Sequence, residues 1–303
     1  MDEIIKQAVK RIPQLRGKDG LEFSRLGGLT NLVFHVKDGS NNYVLRIPGD
    51  GTEEYIDRAV EIHNARIAAE AGVSANILFA DESDGLMLAE HLGDAVTMSP
   101  SSFASIDGSP ARAAIAMKKL HTCGKQFQFR FELFSMIDEY LAMLKKLGAQ
   151  LPEGYHDVVL SAEPVRDALS ANPAELAPCH CDPLCENFLD TSTHMWIVDW
   201  EYSGMNDPLW DLGDLSVEAG FDEAQDREMM EAYCDGIVPN ADFGRMIIYK
   251  AMCDLLWTLW GLIQHANKNP AEDFWAYSLG RFERCKSLMA SDGFAKHLNS
   301  ISK

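Results

Sequence analysis

Residues 180–218 read HCDPLCENFLDTSTHMWIVDWEYSGMNDPLWDLGDLSVE. In this stretch Asp182 stands five positions before Asn187, and Asp199 follows twelve positions later in the strand-like segment MWIVDWE. A loop that presents Asp and then Asn, followed by a strand that ends in Asp, is the arrangement with which phosphotransferases hold an acceptor hydroxyl beside Mg²⁺. We therefore expect Asp182 to orient an acceptor hydroxyl, and Asn187 and Asp199 to supply the oxygen ligands that Mg²⁺ prefers.

The carboxylate of Asp182 is too weak a base to deprotonate an alcohol in advance. An aspartate of pKa about 4 and an alcohol of pKa about 14 differ by about ten units, or about 14 kcal/mol. We expect Asp182 to align the hydroxyl and to accept its proton late in the transfer. Most of the catalysis would then come from positioning and from the electrostatics of Mg²⁺.

Length and charge limit the class of protein. The 303 residues are enough for one large or two medium domains, and 27 basic against 46 acidic residues give a net charge of −19. This charge disfavours binding to nucleic acid or to an anionic membrane and suits a cationic partner, although acidity also serves solubility. The longest apolar stretch, Met246 to Ile263, contains Lys250 and Asp254, so the sequence predicts no membrane span.

The start of the chain and its cysteines indicate a cytoplasmic protein. The first residues, MDEIIKQAVKRIP, include two acidic side chains and lack the apolar core of a secretory signal. The number of cysteines, seven, is odd, which in a long chain without such a signal indicates reduced thiols. A zinc site remains an alternative for one cluster: Cys179, His180, Cys181 and Cys185. Their spacing differs from that of structural zinc sites, so we favour buried thiols beside the loop.

The N-terminal third is rich in strand and turn patterns. Val33 to Val36 and Tyr43 to Ile47 predict a hairpin, Thr52 to Ala71 a helix, and Ile77 to Leu92 a second strand pair. Helical periodicity dominates afterwards in five segments: Pro110–His121, Phe131–Leu147, Asp222–Asp235, Phe243–Ala266 and Ala271–Met289. A loop-and-strand region, 178–208, interrupts them. The pattern predicts an α+β protein with an N-terminal lobe, 1–92, and a helical C-terminal lobe, 93–303.

The segment VDWEYSGMNDPLWDLGDLSVE gives five polar residues at set intervals: Asp199, Glu201, Asn206, Asp211 and Glu218. With these residues the chain resembles the choline/ethanolamine kinase family within the aminoglycoside-phosphotransferase-like kinases. The resemblance implies a two-lobed protein-kinase-like fold, with a small N-terminal antiparallel β-sheet lobe and a larger, mainly α-helical C-terminal lobe. It also implies ATP-dependent phosphorylation of choline or a closely related amino alcohol, with Asp211 bracing the catalytic loop.

The same resemblance implies a nucleotide site in the N-terminal lobe. GGLTN would form the loop over the ATP phosphates, and Arg46 in YVLRIP would grip phosphate, because a guanidinium binds oxygens bidentately. Glu61 would pair with Arg46, and the backbone around Glu90 and Leu92 would meet the adenine. The implied nucleotide-binding residues are Gly27, Gly28, Thr30, Asn31, Arg46, Glu61, Glu90 and Leu92.

Three aromatic residues and one acid are candidates for the acceptor site. Trp257 and Trp260 are three positions apart and so share a helix face, which by itself is more typical of core packing. By resemblance to the family, they and Tyr277 would enclose a quaternary ammonium, with Glu218 as its carboxylate. Aromatic faces attract such a group by about 0.5–2 kcal/mol each, although it has no N–H to donate.

Other functions remain open on the sequence. Ethanolamine, thiamine and aminoglycosides are alternative cationic acceptors, and ethanolamine would depend more on acids than on aromatics. A silent nucleotide-binding module would have lost a catalytic residue, and none is lost here. A protein kinase is disfavoured because VDWEYSGMND replaces the D-F-G pattern. The sequence indicates no oligomeric state.

Overall fold

Hairpins build a five-stranded antiparallel sheet in the N-terminal part of the chain. The computed structural model describes residues 3–27, 31–49 and 56–301. The strands are β1 Glu22–Gly27, β2 Asn31–Asp38, β3 Asn41–Pro48, β4 Ile77–Ala80 and β5 Met87–Glu90, in the order β1-β2-β3-β5-β4. Gly39 turns the chain between β2 and β3 with φ +58°, a conformation that costs glycine little. Both predicted strand pairs are confirmed.

Helix α1, Glu3–Arg11, covers one face of this sheet. Its buried Ile5 and Ala8 join Leu45 and Leu88 of the strands in one apolar cluster. At its C-terminal end Arg11 bonds Asp81 at 2.6 Å and Asp84 at 2.8 Å, so the guanidinium ties the helix to the β4–β5 turn. The N-terminal helix therefore packs against the small sheet.

Helix α2, Arg58–Glu70, begins later than the sequence predicted. Asp57 has extended backbone, and its carboxylate accepts hydrogen bonds from the N–H groups of Ala59 and Val60 at 3.0 and 3.2 Å. An aspartate at the N-cap satisfies the free N–H groups of the first turn, which is why the helix begins there. Ile56 and Asp57, which the prediction placed inside the helix, are therefore not helical, and the predicted start at Thr52 lies outside the described residues.

Helices dominate the rest of the chain. They are α3 Pro100–Ser105, α4 Ser109–His121, α5 Leu133–Leu147, α6 Tyr155–Ser161, α7 Glu163–Ala171, α8 Pro208–Ala219, α9 Glu223–Tyr233, α10 Asn240–Ala266, α11 Phe274–Met289 and α12 Phe294–Ile301. By length and hydropathy α10 passes the test for a membrane span, but 89% of its most apolar window is buried inside the protein. Such burial is that of a core helix, around which α5, α8, α11 and α12 pack.

The sequence predicts loop and strand up to residue 208 and no helix directly after them, so helix α8 is a correction to that prediction. Pro208 occupies the first turn, and the Asp207 carboxylate accepts the Leu209 N–H at 3.0 Å. Nearly all residues of α8 are buried, so its sequence lacks the polar face that marks a surface helix. The first turn of α8 carries Asp211, whose buried carboxylate contacts the backbone of His180 and Cys181.

Two short sheets hold the polar loops of the central region. Strand β7, Ala177–Cys179, pairs with β10, Gly204–Asn206, while β6 Val96–Thr97, β8 Phe188–Asp190 and β9 Met195–Ile197 form the second sheet. A 3-10 turn, Cys185–Asn187, precedes β8. The segment 180–187 therefore leaves one sheet and enters the other. The predicted α+β class, with an antiparallel N-terminal sheet and a helical C-terminal region, is confirmed.

Candidate active site

Asp211 fixes the loop that carries Asp182. Its carboxylate is fully buried and accepts the backbone N–H groups of His180 at 2.7 Å and Cys181 at 2.8 Å. The ring of His121 lies 3.0 Å from the same carboxylate. Cys181 has φ +67°, a left-handed conformation that non-glycine residues rarely adopt, and the Asp211 contacts hold it there. The structure therefore shows hydrogen bonds between Asp211 and the loop of Asp182, the contact that a bracing role requires.

The loop folds back on its own carbonyl groups after this bend. The Asp182 carbonyl oxygen accepts the Leu184 N–H at 2.8 Å and the Asn187 side-chain N–H at 3.1 Å. Burial raises the pKa of the Asp182 carboxyl to about 7, the Glu218 carboxylate adds to the rise, and Arg281 opposes it. The Asn187 side chain donates through its amide nitrogen, and its acceptor atom, Oδ1, is the one that could bind a cation.

Asp199 lies two residues beyond β9, also in a left-handed conformation, with φ +69°. Its side chain is 40% exposed, and its Oδ1 is 3.6 Å from Arg46 Nη1. Carboxylate oxygens of Asp199, Glu61 and Glu201 lie within 4.8 Å of one another. Such a set of hard oxygen donors, with Asn187 on the adjoining loop, fits a divalent cation such as Mg²⁺.

Arg46 on β3 forms the predicted ion pair with Glu61 on α2. The arginine side chain is 12% exposed, and its Nε and Nη2 atoms are buried with no hydrogen-bond partner among the described residues. Unpaired buried donors are costly, and two neighbouring guanidinium donors match the oxygens of a phosphate. Arg46 therefore fits an anionic ligand beside the cluster of carboxylates.

The structure shows a further polar network that was not predicted from the sequence. Glu201 accepts hydrogen bonds from Asn31 and from Arg58, both at 2.8 Å, and Arg58 also contacts Glu61 at 2.8 Å. Glu201 belongs to the quoted motif, two positions after Asp199, and this spacing was its signal. Arg58 had none, because an arginine at the start of a helix is ordinary. The network joins the N-terminal sheet and α2 to the segment after Asp199.

The remaining residues of the expected nucleotide site lie around the small sheet. Gly27 ends β1, whereas Gly28 and Thr30 lie outside the described residues. Glu90 ends β5, and its N–H is donated to the Asn76 carbonyl at 3.0 Å. Leu92 follows two residues later in the segment leading to β6.

The aromatic residues expected at the acceptor site do come together. Trp257 and Trp260 lie 6.4 Å apart between ring centroids, and Trp260 lies 5.9 Å from Tyr277. Tyr202 joins them, at 5.4 Å from Trp257, and its hydroxyl accepts the Trp260 indole N–H at 3.0 Å. Trp257 is only 3% exposed, so part of this cluster is core.

Two charged residues of this region were missed. The Arg281 guanidinium lies 4.6 Å from the Tyr277 ring centroid and 2.6 Å from the Glu218 carboxylate. Asp214 lies one helical turn before Glu218 on α8 and accepts the Trp257 indole N–H at 3.3 Å. The signal for Asp214 was its spacing of four from Glu218, which places both on one face of a helix. That signal was unusable because α8 was not predicted.

Cys179, His180, Cys181 and Cys185 do not converge as one set of metal ligands within the described residues. All seven cysteines are free of disulfides, and Cys179, Cys181 and Cys185 are buried. In the described part of the chain, the convergent group nearest this cluster is His121, Cys179 and Asp211, and Asp211 is already occupied by hydrogen bonds. Burial raises the pKa of these thiols, as expected for inert core cysteines.

Comparisons with known proteins agree with this geometry. The sequence profile of the choline/ethanolamine kinase family matches residues 24–235. A crystal structure of a choline/ethanolamine kinase family protein from Mesorhizobium loti superimposes with a TM-score of 0.91 at 57% identity, covering 98% of both chains. The choline kinase LicA from Streptococcus pneumoniae gives 0.74 at 26% identity, over 89% of this chain and 93% of that one. Ethanolamine kinase 2 of Rattus norvegicus is 26% identical, over 93% of this chain and 81% of its own length.

Proposed function

The chain belongs to the choline/ethanolamine kinase family, whose members phosphorylate alcohols, and on this premise we propose that it phosphorylates choline or a closely related amino alcohol. ATP is the proposed phosphoryl donor. One observation carries the proposal: Arg46, with unpaired buried guanidinium donors, adjoins Asp199, and the Asp182 loop lies next to a cluster of acids and aromatic rings. These groups support an anion site and a cation site near Asp182.

Each residue has a physical role in this proposal. Arg46 binds phosphate oxygens, with Glu61 holding the guanidinium in place. Asn187 and Asp199 would hold Mg²⁺, which supplies positive charge to the phosphate oxygens when bound. Asp182 accepts the acceptor's hydroxyl proton late in the transfer, and its raised pKa of about 7 makes it a better proton acceptor than an ordinary aspartate.

The acceptor's ammonium group would lie against the aromatic cluster of Trp257, Trp260 and Tyr277, with carboxylates supplying the opposite charge. Rings attract an alkylated ammonium through their faces. These carboxylates are Glu218 and Asp214, both on α8. The proposal also includes a cytoplasmic location, since the cysteines are free thiols.

The test is an ADP-release assay of the full chain with Mg²⁺-ATP and a panel of choline, ethanolamine, thiamine and an aminoglycoside. Asp182→Asn should lower kcat by about 10²-fold or more, because a positioned proton acceptor contributes that much. Glu186→Gln is the matched control, since Glu186 is an exposed carboxylate of the same loop. Turnover of choline or ethanolamine, lost only in Asp182→Asn, supports the proposal. Turnover of thiamine or the aminoglycoside alone would reassign the substrate, and binding of ATP without turnover would indicate a silent module.

A further inference from the structure

Asp214 carries a buried carboxylate oxygen that the protein leaves without a partner. The residue is 1% exposed, and its Oδ2 accepts the Trp257 indole N–H. Its Oδ1 is buried and has no hydrogen-bond partner within the ranges that the structure describes. Buried carboxylates are normally paired, so an orphaned oxygen at the wall of a substrate site points to a donor that the substrate brings.

Glu218, also on α8, has a buried oxygen without a hydrogen bond among the described residues too, Oε1, but that oxygen is ion-paired with Arg281. The Arg281 guanidinium contacts Glu218 at 2.6 Å and Asp254 at 3.2 Å, and it covers the face of Tyr277. The charge of Glu218 is therefore offset inside the protein. Among the described residues, Asp214 receives only the neutral indole N–H of Trp257 as a hydrogen-bond donor and has no ion pair, so it is the carboxylate with capacity left for a cation.

The electrostatic surroundings of Asp214 favour a cation as its partner. Burial raises the pKa of this carboxyl well above its usual value, and the negative charges of Glu218 and Asp182 raise it further. Arg281 opposes the rise without bonding to Asp214. An ammonium group that reaches Oδ1 would satisfy the oxygen and stabilise the ionised form in one contact.

The geometry also distinguishes among ammonium groups. A quaternary ammonium has no N–H and can offer Oδ1 only its charge, whereas primary, secondary and tertiary ammonium groups can donate a hydrogen bond. Resting on the proposed function, we propose that Asp214 is a specificity-determining residue of the acceptor site. Its Oδ1 accepts a hydrogen bond from the substrate's ammonium N–H, so the site favours amino alcohols whose nitrogen carries at least one hydrogen.

The experiment uses four acceptors that differ by one methyl group each: 2-aminoethanol, its N-methyl and N,N-dimethyl derivatives, and choline. For the unmodified chain, kcat/KM for the N,N-dimethyl compound should exceed that for choline by about tenfold, which is the worth of one charge-assisted hydrogen bond. This pair differs by one N–H and one methyl group. The comparison needs no variant, so it tests the proposal even where a substitution at Asp214 prevents folding.

The variant Asp214→Asn keeps the shape and removes the charge. It should lower kcat/KM about 10-fold to 100-fold for the three N–H-bearing acceptors and no more than about threefold for choline. Glu218→Gln is the matched comparison, and it should affect all four acceptors alike. The KM for ATP and the melting temperature report whether the rest of the site is intact.

An equal loss with all four acceptors in Asp214→Asn, or a preference of the unmodified chain for choline over the N,N-dimethyl compound, would overturn the role of Asp214 and leave the proposed function standing. If Glu218→Gln shows the methyl-dependent loss instead, then Glu218 is the residue that binds the ammonium group. No turnover of any of the four compounds by the unmodified chain would refute the proposed function itself, and the role of Asp214 with it.

Discussion

The buried carboxylate of Asp211 accepts the backbone N–H groups of His180 and Cys181, at 2.7 and 2.8 Å. These two residues immediately precede Asp182, so the position of the Asp182 carboxylate, the proposed proton acceptor, depends on a side chain that is fully buried. The Cys181 carbonyl oxygen also accepts a hydrogen bond from the Trp210 indole N–H at 3.0 Å. The left-handed bend at Cys181 is therefore held from both sides by the first turn of α8.

Asp211→Asn should lower kcat about 10-fold to 100-fold, because one of the two backbone N–H groups loses its acceptor and Asp182 shifts. The free energy of unfolding should fall by about 1–3 kcal/mol, the cost of an unsatisfied buried donor. Steady-state kinetics and chemical denaturation measure the two effects. Asp222→Ala is the control, since it removes the N-cap of α9 at a cost of about 1 kcal/mol and should leave kcat unchanged. An unchanged kcat in Asp211→Asn would contradict the bracing role.

Arg46→Lys should raise the KM for ATP by about tenfold. A lysine keeps the charge but loses the planar pair of donors at Nε and Nη2, which are the unpaired atoms of Arg46. Titration with ATP at saturating acceptor measures the effect. Arg11→Lys, in the exposed contact with Asp81 and Asp84, is the matched control in the same part of the chain. Equal KM values for the two variants would show that Arg46 does not bind the nucleotide.

Trp260→Leu should raise the KM for choline about 3-fold to 30-fold and leave the KM for ATP unchanged. The range corresponds to the loss of one cation–π contact of about 0.5–2 kcal/mol. Trp260 is the better target than Trp257, which is 3% exposed, because removing a core tryptophan costs about 3–5 kcal/mol of stability. Trp196→Leu on β9 serves as the control for loss of a half-buried indole. A choline KM that does not move would remove Trp260 from the acceptor site.

Breaking the buried ion pair of Lys250 and Asp226 should lower the free energy of unfolding. The two groups lie 2.7 Å apart and are both buried, and Ser216 also bonds Asp226. Lys250→Met leaves the aspartate unpaired and should lower the free energy of unfolding by about 3–5 kcal/mol, while adding Asp226→Leu should restore most of the loss. Lys286→Met, in an exposed pair with Glu283, should cost less than about 1 kcal/mol.

The cost of Lys250→Met should grow with pH. Burial raises the pKa of Asp226 in the folded protein and Lys250 opposes that rise, so removing the lysine raises this pKa further. The folded variant then holds a proton that the unfolded chain releases above about pH 4, and its stability falls as pH rises through this window. Denaturation at several pH values above 4 measures the gap between the two proteins. A gap that narrows with rising pH would contradict the assignment.

Local sequence patterns predict much of the order of strands and helices and the loop that carries Asp182. The hairpins around β2, β3, β4 and β5 and the helices α4, α5, α9, α10 and α11 follow hydrophobic periodicities from which they were predicted, whereas α3, α6, α7, α8 and α12 were not predicted. Asp182, Asn187 and Asp199 were predicted together because their spacing in the chain is short. The contacts Arg46–Glu61 and Asp211 with the loop, expected from the family resemblance, are present in the structure.

The pairing of distant charged residues follows from how the helices and strands pack. Arg281 lies 63 positions from Glu218 and Arg58 lies 143 from Glu201, and nothing local in the sequence indicates either pair. Helix α8 is almost wholly buried, so it carries no amphipathic pattern, and Asp214 was hidden with it. Hydrophobic periodicity reports which face of an element is buried, whereas the partner of a buried charge depends on how distant elements pack. Asp214 and its unpaired oxygen are visible for this reason only in the folded chain.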